Sequence, residues 1–199
     1  MQRFCINMRG NHDSVDRLAV VDVGHRFGRQ VLFGGVTFEV AGGDSVAITG
    51  SNGSGKSTLL HILAGLLTPV RGLIRLTVDG RDISAEDRPF QCGMVAPYLN
   101  VYEGFSVFEN LLFVARSRGL SDRRRRIAEA IDAVGLTPRA HDLVGTFSSG
   151  MKQRVKFAIV IMVDLAVLLL DEPATNLDAA GREMVAVVRQ RQTSRGGMV

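Results

Sequence analysis

The sequence predicts an α/β fold in which a mixed, partly parallel sheet is preceded by an antiparallel β region and interrupted by a helical subdomain. Three observations predict it. Between Leu18 and Gly50 the segments LAVVDV, VLFGGVTFEV and DSVAITG read as short β-branched strands broken by Gly28, Gly34, Gly35, Gly42 and Gly43. From about residue 98 to 162 the apolar residues recur at helical spacing instead. Ala166–Leu170 is then an unbroken apolar run bounded by carboxylates, the pattern of a strand buried on both faces.

Residues 1–17 are polar and without clear period, so they read as a loose lead-in to a domain spanning 18–199. Thr58–Leu67 is almost wholly apolar, as a helix packed inside an α/β layer requires. Gly72–Gly80 alternates Leu73, Ile74, Leu76 and Val78 with Arg75 and Thr77, a strand closing in an Asp-Gly turn. Three helices are expected over Val107–Arg118, Ser121–Val134 and Gly150–Val163. Ser121 is a candidate cap for the second, and Gly135 with Pro138 ends it. Ala179–Gln192 reads as a final amphipathic helix.

A chain of 199 residues, 46% hydrophobic, can bury one core and a small subdomain. The net charge of +4 is modest and spread along the chain, and so gives no argument for a nucleic-acid partner. The dense run Arg123–Arg126 sits among Ile127, Ala130, Ile131 and Val134 at helical spacing. It reads as a solvated helix face, with a patch for nucleic acid or anionic lipid as the alternative. Cys5 and Cys92 have no metal-ligand spacing and fit reduced thiols in the cytoplasm. The most apolar stretch, Phe157–Leu170, is interrupted by Asp164 and too short to span a bilayer, so any membrane link is expected to run through another chain.

The pattern G-x-x-x-x-G-K-[ST] is met by Gly50, Gly55, Lys56 and Ser57, after the strand Ser45–Thr49 and before a helix. The chain's own composition would produce it by chance roughly 0.004 times, which leaves an accidental turn a poor explanation. Glycines let backbone N–H groups close around phosphate oxygens, and the following helix presents its positive end to them. The candidate nucleotide-binding set is therefore Gly50, Ser51, Asn52, Gly53, Ser54, Gly55, Lys56, Ser57 and Thr58. Lys56 is expected to reach the β- and γ-phosphates and Ser57 to offer its hydroxyl to Mg²⁺. The fold class is accordingly that of the P-loop NTPases, which still leaves kinases, GTPases and ATPases open.

Further motifs choose among them. FSSGMKQR at Phe147–Arg154 resembles the LSGGQ signature of ATP-binding cassette (ABC) ATPases and lies 23 residues before Asp171. VLLLDEP at Val167–Pro173 resembles that family's Walker B strand, and PATNLD at Pro173–Asp178 its D-loop. The resemblance implies that Ser148, Ser149 and Gly150 form the signature, in which Ser148 and Gly150 bind the γ-phosphate of ATP held by a second ABC ATPase subunit, most simply in a homodimer, and Ser149 between them keeps its backbone N–H. It implies that Asp171 holds Mg²⁺, that Glu172 polarises the attacking water as general base beside the catalytic Lys56, and that Asp178 meets the partner. Two simpler roles stand beside these: Ser148 or Ser149 as a plain helix cap, and Asp178 as another. Phe27, 29 residues before Lys56, falls where the family places a ring on adenine, and is otherwise a core Phe.

Two departures qualify the match. Family members carry a Gln in a context such as GYVPQ, whereas GMVAP here puts Pro97 at that position, with Asn100 three residues on as a candidate substitute toward Mg²⁺ or the water. The family's switch His lies beyond a further strand, and none of the His at 12, 25, 61 and 141 occupies that place. Gly196–Val199 resembles the start of that strand, so the chain is expected to stop short of the His.

In VYEGFSVFENL at Val101–Leu111, the exposed aromatics expected at Tyr102 and Phe105, with the neighbouring Tyr98, suit a groove for a transporter helix or else subdomain core. The expectation is a short, single-cassette ATPase, cytoplasmic and peripheral, driving an integral membrane transporter subunit. The alternatives are a soluble ABC ATPase not tied to transport, or a nucleotide-binding module with little turnover. Only 92 positions separate Lys56 from Ser148, which leaves no room for the long coiled coil of chromosome-maintenance ATPases.

Overall fold

The second and third strands are longer than their glycines suggest. In the computed structural model, which describes residues 5–9 by backbone alone and 16–199 in full, β2 runs Arg17–Phe27 and β3 Gln30–Ala41. Gly34 and Gly35 lie inside β3 rather than ending it. The pairing slips in register between Val20 and Arg26, and the ladder absorbs the glycines as irregularities instead of breaking. With β5 (Arg71–Val78) and β6 (Arg81–Ile83) these strands form an antiparallel sheet in the order β3-β2-β5-β6. Asp79 and Gly80, both at positive φ, make the expected turn between the last two.

Of the lead-in expected over 1–17, residues 1–4 and 10–15 lie outside the described residues, and part of the remainder is strand. Cys5–Arg9 forms β1, antiparallel to β4 (Ser45–Thr49), with Cys5 opposite Thr49 and Arg9 opposite Ser45. β7 (Cys92–Val95), preceded by the single turn α2 (Arg88–Gln91), pairs with β8 (Val167–Leu170). Met198 bridges Val167 in parallel, while Val199 accepts from the Val46 amide and donates to Asp44. After a turn at Gly196, Met198 and Val199 thus do lie beside β8 and the start of β4. α1 (Lys56–Leu63) buries Leu59, Leu60, Ile62 and Leu63 in a core with Val20, Val23, Phe33, Leu76 and Leu169.

The chain divides into two units. One takes the chain up to Met94 with Leu165–Leu169 and Arg191–Val199; the other takes Val95–Asp164 and Leu170–Gln190. In the second, α3 (Val107–Ser117), α4 (Arg123–Ala133) and α5 (Ser149–Met162) enclose Val107, Leu111, Ala115, Ile127, Val155, Phe157 and Ala158, each fully buried. α6 (Ala179–Ser194) follows. Ser106 and Glu109 cap α3 reciprocally, and these hydrogen bonds hold the Glu109 carboxyl below its ordinary range. Ser121 does not cap α4: Asp122 takes that place, in left-handed backbone and without a side-chain cap. Gly135, at φ 69°, follows the end of that helix as expected. The arginine run is largely a solvated face, with Arg125 between Asp122 and Glu129 and only Arg126 half-buried, 2.9 Å from Asp164.

Candidate nucleotide-binding site

The candidate residues divide between the units: Phe27 and Gly50–Thr58 in the first, Asn100, Ser148–Gly150, Asp171, Glu172 and Asp178 in the second. In the first, β4 ends at Thr49 and the loop from Gly50 to Gly53 is exposed. Gly55, at φ 95°, is the N-cap of α1 and can offer that helix no side chain; no acidic residue stands in its first turn either. A Cβ at Gly55 would fall 2.7 Å from the Leu32 side chain, so glycine is required there on both counts. The amides of the first turn are left for an outside acceptor.

Lys56 begins α1 and folds its ammonium back onto the loop, donating to the Gly50 and Ser51 carbonyls at 2.9 Å each. The Ser54 hydroxyl is buried with no hydrogen-bond partner. An uncapped helix start, a lysine held by weak neutral acceptors and an orphaned hydroxyl together fit a polyphosphate. Phe27 is 57% exposed at the end of β2, which removes the core reading, and His25 packs edge-on against it at 4.9 Å.

In the second unit, Asp171 follows β8 and continues its pairing by one residue, its amide donating to the Val95 carbonyl at 2.9 Å. The residue is buried, at 7% exposure. Glu172 is exposed and stands at φ 44°, a backbone conformation that is unusual outside glycine. The two acids are therefore separated by a turn, not by the strand alternation their adjacency suggests. Thr175 donates to the Glu172 carboxylate at 3.4 Å and its amide to the Glu172 carbonyl. Among the described residues no three or more His, Cys, Asp or Glu gather into a metal cage. A single carboxylate on a buried residue fits Mg²⁺, which draws its remaining oxygens from water and phosphate.

Ser148 rather than Ser149 caps α5, its hydroxyl accepting from the Met151 amide at 3.3 Å. A Cβ on Gly150 would lie 2.8 Å from the Asn176 carbonyl oxygen, so the helix start and the segment after Glu172 approach as backbone against backbone. Phe147, standing where the signature has Leu, is buried under Arg139, whose guanidinium lies 4.6 Å from the ring centre. Asp178 caps α6 through the Gly181 amide at 2.7 Å and meets Arg154 at 3.3 Å, and both hold its carboxyl low.

Asn100 lines a cavity of about 140 Å³ with Ser149, Lys152, Gln153, Lys156 and Asn176. The side chain that hydrogen-bonds Asp171 is Tyr98, which partial burial and that carboxylate push up to about 12. Tyr102, by contrast, packs against Phe105 and Phe113 in an exposed aromatic cluster. The role of Lys156 was also hidden: on α5, its ammonium donates to the Ala96 and Pro97 carbonyls at 2.9 and 3.1 Å, and burial lowers it. A lysine between Val155 and Phe157 was the available signal.

Residues 33–175 match the family model described as ABC transporter. The chain is 38% identical over 174 residues to the cytochrome c biogenesis ATP-binding export protein CcmA of Bradyrhizobium diazoefficiens, covering 87% of this chain and 84% of that one. It is 39% identical over 157 residues to the lipoprotein-releasing system ATP-binding protein LolD of Oleidesulfovibrio alaskensis, covering 74% and 67%. Among solved structures, an ATP-binding subunit of an ABC transporter superposes with a TM-score of 0.79 at 29% identity, over 91% of this chain and 77% of that one. With a glycine loop, signature and Walker B carboxylates all inside or beside the matched span, the chain belongs to the ABC transporter family and is one of its ATP-binding ATPase domains.

Proposed function

We propose that the chain binds and hydrolyses ATP at two sites shared with a second copy of itself, and that this cycle drives a separate integral membrane subunit from the cytoplasmic face. The observation that carries ATP binding is the loop: Lys56 rests on the Gly50 and Ser51 carbonyls while the first turn of α1 has no cap. An arriving triphosphate would replace two neutral acceptors by charged ones and take up the unused amides. Phe27, exposed beside His25, would support the base.

Ser57 and Asp171 would hold Mg²⁺, which offsets charge on the transferring phosphoryl group. Glu172, exposed on its turn, would orient the attacking water and take its proton. Ser148 and Gly150, at the start of α5, would meet the γ-phosphate held by the partner, where the helix start favours an anion. No helix among the described residues is long and apolar enough to cross a membrane, so transport would require a second polypeptide segment to span it. The export and lipoprotein-release names of the relatives support a transport role, in keeping with the exposed Tyr102, Phe105 and Phe113 cluster as a place for a partner helix.

Lys56→Ala tests the loop. Loss of one charge-assisted contact, about 1.5–3 kcal/mol, should weaken ATP about 10- to 100-fold by calorimetry with unchanged circular dichroism. Equal affinity would overturn the assignment.

A further inference from the structure

We propose that the cleft between α3 and α4 binds the headgroup of an anionic phospholipid, giving the second unit a direct hold on the membrane surface. The choice of a membrane rests on the reading of the chain as a transporter ATPase. The cleft, about 690 Å³, opens where the chain passes from α3 to α4, away from every candidate nucleotide residue of that unit. Its floor is apolar, with Phe108, Leu112 and Leu120 each half-buried. Phe108, Leu112 and Arg116 recur at every fourth position, so one face of α3 supplies both floor and charge.

The rim is basic. Arg116, Arg123, Arg124 and Arg125 are all exposed, and Asp122 is the one carboxylate of the lining. That carboxylate and Glu129 both engage Arg125, at 3.5 and 2.9 Å. Arg123 turns back onto the Leu120 carbonyl, a neutral acceptor, at 3.1 Å. Among the described residues no ion pair or side-chain hydrogen bond engages Arg116 or Arg124. Three of the guanidiniums are therefore left without an acid.

Folding by itself disfavours this arrangement. Arg123, Arg124 and Arg125 open α4 at the positive end of its dipole, where acids stabilise a helix and cations oppose it. The first turn holds no acidic residue, and Asp122 makes no side-chain cap. A phosphate group in the cleft would relieve the repulsion and accept from the guanidiniums in the paired geometry they favour. The floor selects an amphiphile over a free ion, because only a ligand with an apolar part gains from covering Phe108, Leu112 and Leu120. A loop of an integral partner is a poorer match in charge. Cytoplasmic loops are themselves rich in Lys and Arg, whereas the cytoplasmic leaflet carries anionic lipid.

The test sediments the full chain with vesicles of equal parts phosphatidylglycerol and phosphatidylcholine and, separately, of phosphatidylcholine alone. The parent should bind the first and not the second, and added salt should release it. Arg116→Gln combined with Arg124→Gln should weaken binding about 5-fold per arginine, about 25-fold together. The unfolding midpoint of this variant should hold or rise, since a cation has left the start of α4, and its ATP affinity should match the parent's. Equal vesicle binding by parent and variant overturns the site, as does equal binding to pure phosphatidylcholine. A fallen midpoint marks the two arginines as structural and also overturns it. Release by soluble glycerophosphate at the same phosphate concentration overturns the lipid in favour of a free anion. Single-stranded RNA held through the same arginines, with vesicles unbound, overturns it in favour of nucleic acid. The vesicles contain no protein, so failure to bind them leaves the reading of a transporter ATPase standing.

Discussion

At the residue scale, Asp171 and Glu172 show which part of a site is written in residue identity and which is not. Their types, after four buried or half-buried apolar residues, announce a carboxylate pair at a strand end. The turn that divides them is not readable, because a glutamate at φ 44° goes against its own preference and is held by what surrounds it. The same holds for Tyr98: its partner lies 73 positions away, and no local pattern signals so distant a hydrogen bond. Glu172→Gln preserves size and removes the base. ATP binding should survive while kcat falls about 10²- to 10⁴-fold in a phosphate-release assay. Hydrolysis within threefold of the parent would exclude Glu172 as the base.

Among the elements, those with strong local pattern were legible and those set by remote partners were not. The α3 boundaries, the Asp-Gly turn and β8 follow from periodicity, capping and turn chemistry. β1 escaped because a five-residue strand gains its stability from pairing with β4, some forty positions on. The start of α4 shifted because two candidate capping residues stand side by side at Ser121 and Asp122, and neither position makes a side-chain cap. The capping box of α3 gives a stability prediction. Ser106→Ala should cost about 1 kcal/mol in urea unfolding at neutral pH. Because the folded Glu109 carboxyl is held below its ordinary 4.5, its stabilisation is present above that pH and lost as acid carries the protein below it. The parent should therefore lose its advantage over Glu109→Gln between neutral pH and pH 4 and below. A constant difference in unfolding midpoint would contradict the cap.

For the whole molecule, the α/β class and the presence of a helical region were legible because three motifs and a change of hydrophobic period all agree. The division into two units was not, since it returns twice to the first unit through Leu165–Leu169 and Arg191–Val199. A shared site makes an assembly prediction: Glu172→Gln with ATP and Mg²⁺ should sediment as a dimer and return to monomer when nucleotide is removed. Sedimentation unchanged by nucleotide would sink the two-chain site. The contact between Gly150 and the Asn176 carbonyl bears on how such an assembly would feel its nucleotide. Most helix–loop contacts are cushioned by side chains that can change rotamer, whereas here a carbonyl oxygen occupies the space of a missing Cβ, 2.8 Å away. At this point Gly150 and Asn176 meet as backbone, with no side chain between them. On the roles proposed above for Ser148 and Glu172, that close approach would tie the segment meeting the γ-phosphate to the segment carrying the general base.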